Sequence, residues 1–157
     1  MKENIITGIS SGDFNGIGIE VILKTFQDDR ILNHITPIIY GDEKVFKHYM
    51  DLIPDLNLSF KVINSPNEAR HQKINIINIS KNTIKCNPGK DSEDAGKFAY
   101  LALKKVTEDL AKGLIDVIVT APINKNNIQS ESFNFPGHTE YLTSLSNIEQ
   151  SLMFMVD

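Results

Sequence analysis

SEDAGKFAYLALKKVTEDLAKGLIDVIVT, residues 92–120, reads as a helix built to lie on a sheet, followed by one strand of that sheet. Ala95, Ala99, Ala102, Val106 and Leu110 recur at spacings of three and four, and Phe98 and Leu103 widen the stripe. Lys97, Lys104, Lys105, Glu108 and Asp109 fall on the other side. The ends agree with the period. Asp91 or Ser92 can cap the free N–H groups, Glu93 and Asp94 suit the positive end, and Lys112-Gly113 closes the helix. Leu114 to Thr120 is then short, apolar and partly β-branched, with turn-forming residues after it, as buried parallel strands are.

The same alternation extends outward. Asn4 to Ile9 and Thr36 to Tyr40 read as further parallel strands, and Ile19 to Phe26 and Glu43 to Met50 as helices between them. Leu58 to Ile63 and Lys73 to Ile79 are two more strands, forming either an edge hairpin or neighbours within the sheet. Asn87-Pro88-Gly89 is a turn. Strands alternating with helices predict an α/β fold, a layered sheet with flanking helices. The last apolar run, Leu152 to Val156, reads as another strand. A central strand needs neighbours on both sides, so a first α/β domain over residues 1–122 and the beginning of a truncated second domain over 123–157 are expected.

Composition narrows the function classes. A formal charge of −4 gives no long-range attraction for nucleic acid or an anionic membrane, and neither is expected as a partner. One cysteine, Cys86, excludes an intrachain disulfide, and no Cys-His spacing resembles a structural zinc site. Without a run of about 18 apolar residues or a signal-peptide pattern, a soluble cytoplasmic protein is expected.

Gly12-Asp13-Phe14-Asn15-Gly16-Ile17-Gly18-Ile19-Glu20 joins the first strand to the first helix. Its glycines either admit a ligand to backbone N–H groups or make a tight turn, with Asp13 as cleft carboxylate or turn cap. Val21 stands where a dinucleotide fingerprint wants its third glycine or alanine, and Gly89-Lys90 lacks the rest of a Walker loop. Lys125, after the Thr120 strand end, either meets a phosphate or is a solvated lysine. Gly137-His138-Thr139-Glu140 opens a helical pattern with Thr139 as candidate N-cap, His138 in the turn before it, and Tyr141, Leu142 and Leu145 as its packing face. His138 can hold a substrate hydroxyl or carry its proton, or it can merely bond the turn; Thr139 can donate to a phosphate or carboxylate. His34, His48 and His71 read as structural or exposed.

In order and spacing, Gly12 to Glu20, Pro88-Gly89-Lys90, Val119 to Lys125 and Phe135-Pro136-Gly137-His138-Thr139-Glu140 resemble the 4-hydroxythreonine-4-phosphate dehydrogenase family of vitamin B6 synthesis. Phe14 and Asn15 stand where the family's usual Gly-Asp-Pro-Ala-Gly-Ile-Gly-Pro-Glu has Pro-Ala, and Ile19 replaces its second proline. The resemblance implies a two-domain fold of the isocitrate and isopropylmalate dehydrogenase type and a homodimer, of which these residues are the N-terminal portion. It also implies NAD, or NADP, as cofactor and a divalent metal such as zinc, magnesium or cobalt. The implied reaction, in pyridoxal 5'-phosphate biosynthesis, is oxidation of the hydroxyl of 4-hydroxythreonine 4-phosphate, a phosphorylated amino-hydroxy acid, followed by decarboxylation. By motif, His138 and Thr139 match the substrate-binding pair and Lys125 a catalytic helper. The implied metal ligands lie beyond Asp157, cofactor-binding residues are not identified, and the 157 residues alone are expected to be inactive. The alternatives are a related metal-dependent hydroxy-acid dehydrogenase and a noncatalytic phosphate-binding fragment.

Overall fold

A computed structural model gives the fold of the chain and describes residues 4–80, 84–146 and 151–156. The stretch at residues 92–120 folds as its periodicity requires. Ser92 accepts a hydrogen bond from the Ala95 N–H at 3.2 Å and starts helix α3 (Glu93–Ala111). Gly113, at φ +68°, ends it in the left-handed conformation that costs glycine little. Ala95, Phe98, Ala99, Ala102, Leu103 and Val106 are all buried. Each fully buried large apolar side chain contributes roughly 1.5–3 kcal/mol, so this stripe alone fixes the helix on the sheet.

Two assignments on α3 change. Leu110 is 37% exposed, whereas Asp109 is only 1% exposed. Asp109 and Leu110 follow Val106 by three and four residues and flank it on opposite sides, about 60° and 40° around the helix, and it is the Asp109 side that meets Tyr40 of the sheet. The carboxylate tolerates burial because it accepts hydrogen bonds from the Tyr40 hydroxyl and the Lys105 ammonium, each at 2.9 Å. Burial and the Asp109 carboxylate push the Tyr40 hydroxyl far above its ordinary pKa, so it remains a donor.

The sheet has five strands, β1 (Ile5–Ser10), β2 (Ile35–Gly41), β3 (Phe60–Val62), β4 (Ile74–Asn78) and β5 (Val117–Thr120), in the order β3-β4-β2-β1-β5. Every pairing is parallel, which makes β3 and β4 neighbours rather than a hairpin. Alternation along β2 supplies two cores. Ile39 faces helices α1 (Gly18–Thr25) and α2 (Glu43–Leu52), and Ile38 and Tyr40 face α3. Ile128, Phe133 and Tyr141, from the chain after β5, complete the α3 core.

β5 departs from the expected buried strand. It begins only at Val117 because the Asp116 carboxylate and N–H are both bonded to the Ile6 backbone, and Val117 and Val119 are 41% and 50% exposed at the edge of the described sheet. Leu152 to Val156 forms no strand: it pairs with none of the five and lies exposed. Among the described residues it has no strand beside it to pair its backbone groups. No described helix is long and apolar enough to cross a membrane.

Candidate functional site

The loops after β1, β4 and β5 meet at the carboxyl ends of the strands, where open α/β sheets bind ligands. Gly12 starts the contact. At φ +68° it passes so close to the β5 loop that a Cβ would lie 2.2 Å from the Pro122 carbonyl oxygen. The Asp13 N–H donates to that oxygen at 3.1 Å. The Asp13 carboxylate accepts from the Asn15 N–H at 2.7 Å and from the Asn127 side-chain amide at 3.0 Å. Asp13 is thus the turn cap and is 6% exposed.

Phe14 and Asn15, two of the three residues that depart from the resembled motif, have physical roles. Phe14 enters the core, its ring edge-on to Phe98 with centroids 5.3 Å apart, and its carbonyl accepts from the Tyr49 hydroxyl at 2.6 Å. Asn15, 4% exposed, reaches across to the turn before α3. Its side-chain oxygen accepts from the Asn87 N–H at 2.8 Å, and its amide donates to the Lys90 carbonyl at 2.9 Å and to the Ser92 hydroxyl at 3.2 Å. Its backbone carbonyl accepts from the Gly89 N–H at 2.7 Å. On the far side of this turn the Asp91 carboxylate accepts from the Asn124 side chain at 3.4 Å.

Helix α4 (His138–Leu145) begins beside these loops. Gly137, not Thr139, is its N-cap, and no side chain caps it, so His138 is the first helical residue rather than part of the preceding turn. A Cβ on Gly137 would lie 4.0 Å from the Lys125 ammonium nitrogen and 3.5 Å from the Glu140 carboxylate, which places both groups at the helix start. Tyr141 is buried and Leu142 half-buried as the packing face requires, but Leu145 is 53% exposed.

His138 is half-buried, and its Nε2 atom is buried without a hydrogen-bond partner among the described residues. Burial first, and the Lys125 charge second, hold its pKa below the ordinary 6.5. The unfolded chain therefore takes up a proton before the native one does. This residue subtracts stability as the pH falls through 6.5 and has no such effect at higher pH. Near neutrality the imidazole is uncharged and keeps one nitrogen free to accept a proton. Lys125 is exposed and has no ion pair among the described residues.

The structure brings His138 and Lys125 together but sets Thr139 toward a different space. Thr139 lines a cavity of about 1010 Å³ between α3 and α4, together with Tyr100, Thr107, Leu142 and Leu152. Neither His138 nor Lys125 borders it. That cavity is mostly apolar, and the polar chemistry lies with the loops instead. Asn124 and Asn127, absent from the candidates read from sequence, hold the loops together; their one sequence signal is the run Asn124-Lys125-Asn126-Asn127, separated by three residues from a strand end. Among the described residues no group of three or more His, Cys, Asp or Glu side chains could hold a metal ion. His34, His48 and His71 are exposed.

Comparison with known proteins places this geometry. The family model for pyridoxal phosphate biosynthetic protein PdxA matches residues 33–157. The chain is 46% identical over 158 aligned positions to the 4-hydroxythreonine-4-phosphate dehydrogenase of Bacteroides thetaiotaomicron, covering 99% of this chain and 43% of that protein. It is 35% identical to a provisionally named D-threonate 4-phosphate dehydrogenase of Clostridium botulinum, covering 96% of this chain and 46% of the relative. The crystal structure of a 4-hydroxythreonine-4-phosphate dehydrogenase from Burkholderia phymatum superposes with a TM-score of 0.84 at 29% identity, over 93% of this chain and 44% of that one. The chain spans somewhat under half the length of these relatives. With its parallel sheet, its strand-end loops and four-fifths of its length matched by one family model, the chain belongs to the PdxA family of pyridoxal phosphate biosynthetic proteins.

Proposed function

We infer that these residues form the substrate-orienting part of an NAD-dependent dehydrogenase that oxidises the hydroxyl of 4-hydroxythreonine 4-phosphate, with loss of carbon dioxide from the resulting β-keto acid. The observation that carries this reading is the buried, unpartnered Nε2 of His138 beside Lys125 at the uncapped start of α4. An uncharged imidazole there can accept the hydrogen of a substrate hydroxyl, fixing the oxygen and exposing the carbon that loses its hydride. Lys125 and the free N–H groups of α4 favour an anionic group nearby, which suits a phosphorylated acid. Thr139, one position along α4, lines the neighbouring cavity between α3 and α4, and for its hydroxyl to meet the same substrate its side chain has to turn toward His138.

The nicotinamide cofactor would accept the hydride, and a divalent metal belongs to the same reading; the described residues provide neither a metal ligand set nor a dinucleotide fingerprint. The part of these residues is binding, orientation and handling of the hydroxyl proton. A homodimer is part of the proposal. The name of the Clostridium botulinum relative supports a second reading, D-threonate 4-phosphate as substrate, which shares the phosphate and the secondary hydroxyl.

The test is NADH formation by a form of the protein as long as its relatives. With 4-hydroxythreonine 4-phosphate we expect kcat/KM at least about 100-fold above that for the dephosphorylated compound, the loss expected when charge-assisted phosphate contacts of about 3 kcal/mol are removed. Turnover favouring D-threonate 4-phosphate would select the second reading. Equal turnover of phosphorylated and free acids would defeat both.

A further inference from the structure

The turn at residues 87–92 is held by another loop rather than by itself. Lys90 N–H bonds back to the Asn87 carbonyl at 3.0 Å, and four further bonds come from Asn15, whose side chain and backbone carbonyl hold Asn87, Gly89, Lys90 and Ser92. A buried amide with its oxygen and nitrogen both satisfied is an inflexible tie, because breaking it strands polar groups away from water. Asn15 is in turn fixed, through its N–H on Asp13 and through Asp13 on Asn127, to the loop that carries Lys125. The Asp91–Asn124 contact closes the ring. Lys90 and Lys125 are thereby placed on adjoining loops at the carboxyl end of the sheet, both exposed and neither ion-paired among the described residues.

We propose that the 87–92 turn is a wall of the substrate cleft, that Lys90 contacts the anionic substrate there, and that Asn15 is the positioning residue that holds Lys90 in place. The proposal rests on the reading of a phosphorylated acid as substrate and adds a second cation and its support to it. Two lysines on separate loops can share one phosphate or divide a phosphate and a carboxylate between them. Either arrangement works only if the distance between the loops is fixed, and Asn15 fixes it.

A double-mutant cycle in the relatives-length form tests this. Lys90→Ala removes the ammonium and keeps the carbonyl that Asn15 holds; Asn15→Ala removes the tie. Each is expected to raise KM for 4-hydroxythreonine 4-phosphate by about tenfold or more with kcat within about threefold, the signature of lost binding that is uniform between ground and transition states. In the Lys90→Ala background, Asn15→Ala should add less than about twofold, since the group it positions is gone. An equal Asn15→Ala effect in both backgrounds, or a loss confined to melting temperature and active fraction with KM unchanged, would overturn the proposal. Lys90→Ala decides even if Asn15→Ala does not fold, because a change at an exposed, unpaired lysine leaves the fold intact: an unchanged KM rejects the contact. Failure of the functional reading looks different, as wild-type protein that forms no NADH from any phosphorylated hydroxy acid. The same cycle is then read on the dissociation constant of inorganic phosphate, where the coupled pattern sustains the proposal and an additive or absent effect removes it.

Discussion

Replacing His138 with alanine in the relatives-length protein is expected to lower kcat/KM by roughly 30-fold to 1,000-fold while changing the melting temperature little. A positioned hydrogen bond to a reacting group is worth about 2–4 kcal/mol, which converts to that range. The small stability effect follows from what the ring does not do: its Nε2 bonds no described residue, so its removal strands no partner. Thr139→Val keeps the volume and loses the hydroxyl; a smaller effect, mainly on KM, is expected if the side chain turns from its cavity toward the substrate, and an unchanged KM if it stays there. Near-normal kcat/KM for His138→Ala together with a sharp fall in melting temperature would make the imidazole a support of the turn and remove it from the reaction.

The largest effect on stability is expected at Gly96, in the second turn of α3. In an exposed helix, alanine would be better than glycine by about 0.5–1 kcal/mol. Here the added Cβ would lie 1.9 Å from the Asn127 carbonyl oxygen and 2.3 Å from its carbon. Both are backbone atoms and cannot rotate away, so either α3 or the loop after β5 must move. Gly96→Ala is therefore expected to cost about 1–3 kcal/mol net, as overpacking does. The cost appears as a lower urea midpoint at unchanged slope. It should also loosen the Asn127–Asp13 bond, and with it the Lys125 loop, so substrate binding weakens in parallel. A Gly96→Ala protein as stable as the parent would show that α3 and this loop are not in the contact described.

Much of this architecture could be read from residue order because it follows from period. The α3 stripe, its Ser92 cap and its Gly113 stop obey local rules, and the parallel strands follow from short apolar runs between helices. Asp109 reads as an outer-face residue because a charged residue counts as polar in such patterns, and only the side chains of Tyr40 and Lys105 make its burial tolerable. Its link to Tyr40 spans 69 positions, which no local pattern reveals. The candidate site divides in the same way. Lys125, His138 and Thr139 stood out through motif and position, but the amides that arrange the loops bond across 75 positions from Asn15 to Lys90 and 114 from Asn127 to Asp13. Asparagine in a loop looks like turn chemistry in sequence; its partners appear only once the chain is folded. The run Leu152 to Val156 carries the composition of a strand without a strand beside it, and composition alone does not supply the pairing.

The central claim is that His138 meets the substrate's hydroxyl at the start of α4, and nitrogen NMR of the labelled imidazole tests it most directly. In the free relatives-length protein His138 should titrate below 6.5, as its burial and Lys125 require. Adding 4-hydroxythreonine 4-phosphate without cofactor should then shift its Nε2 resonance saturably, with a midpoint equal to the substrate's dissociation constant, while His34, His48 and His71 stay in place. An Nε2 resonance that does not move at substrate concentrations supporting full turnover would contradict the claim and place the reacting hydroxyl elsewhere in the protein.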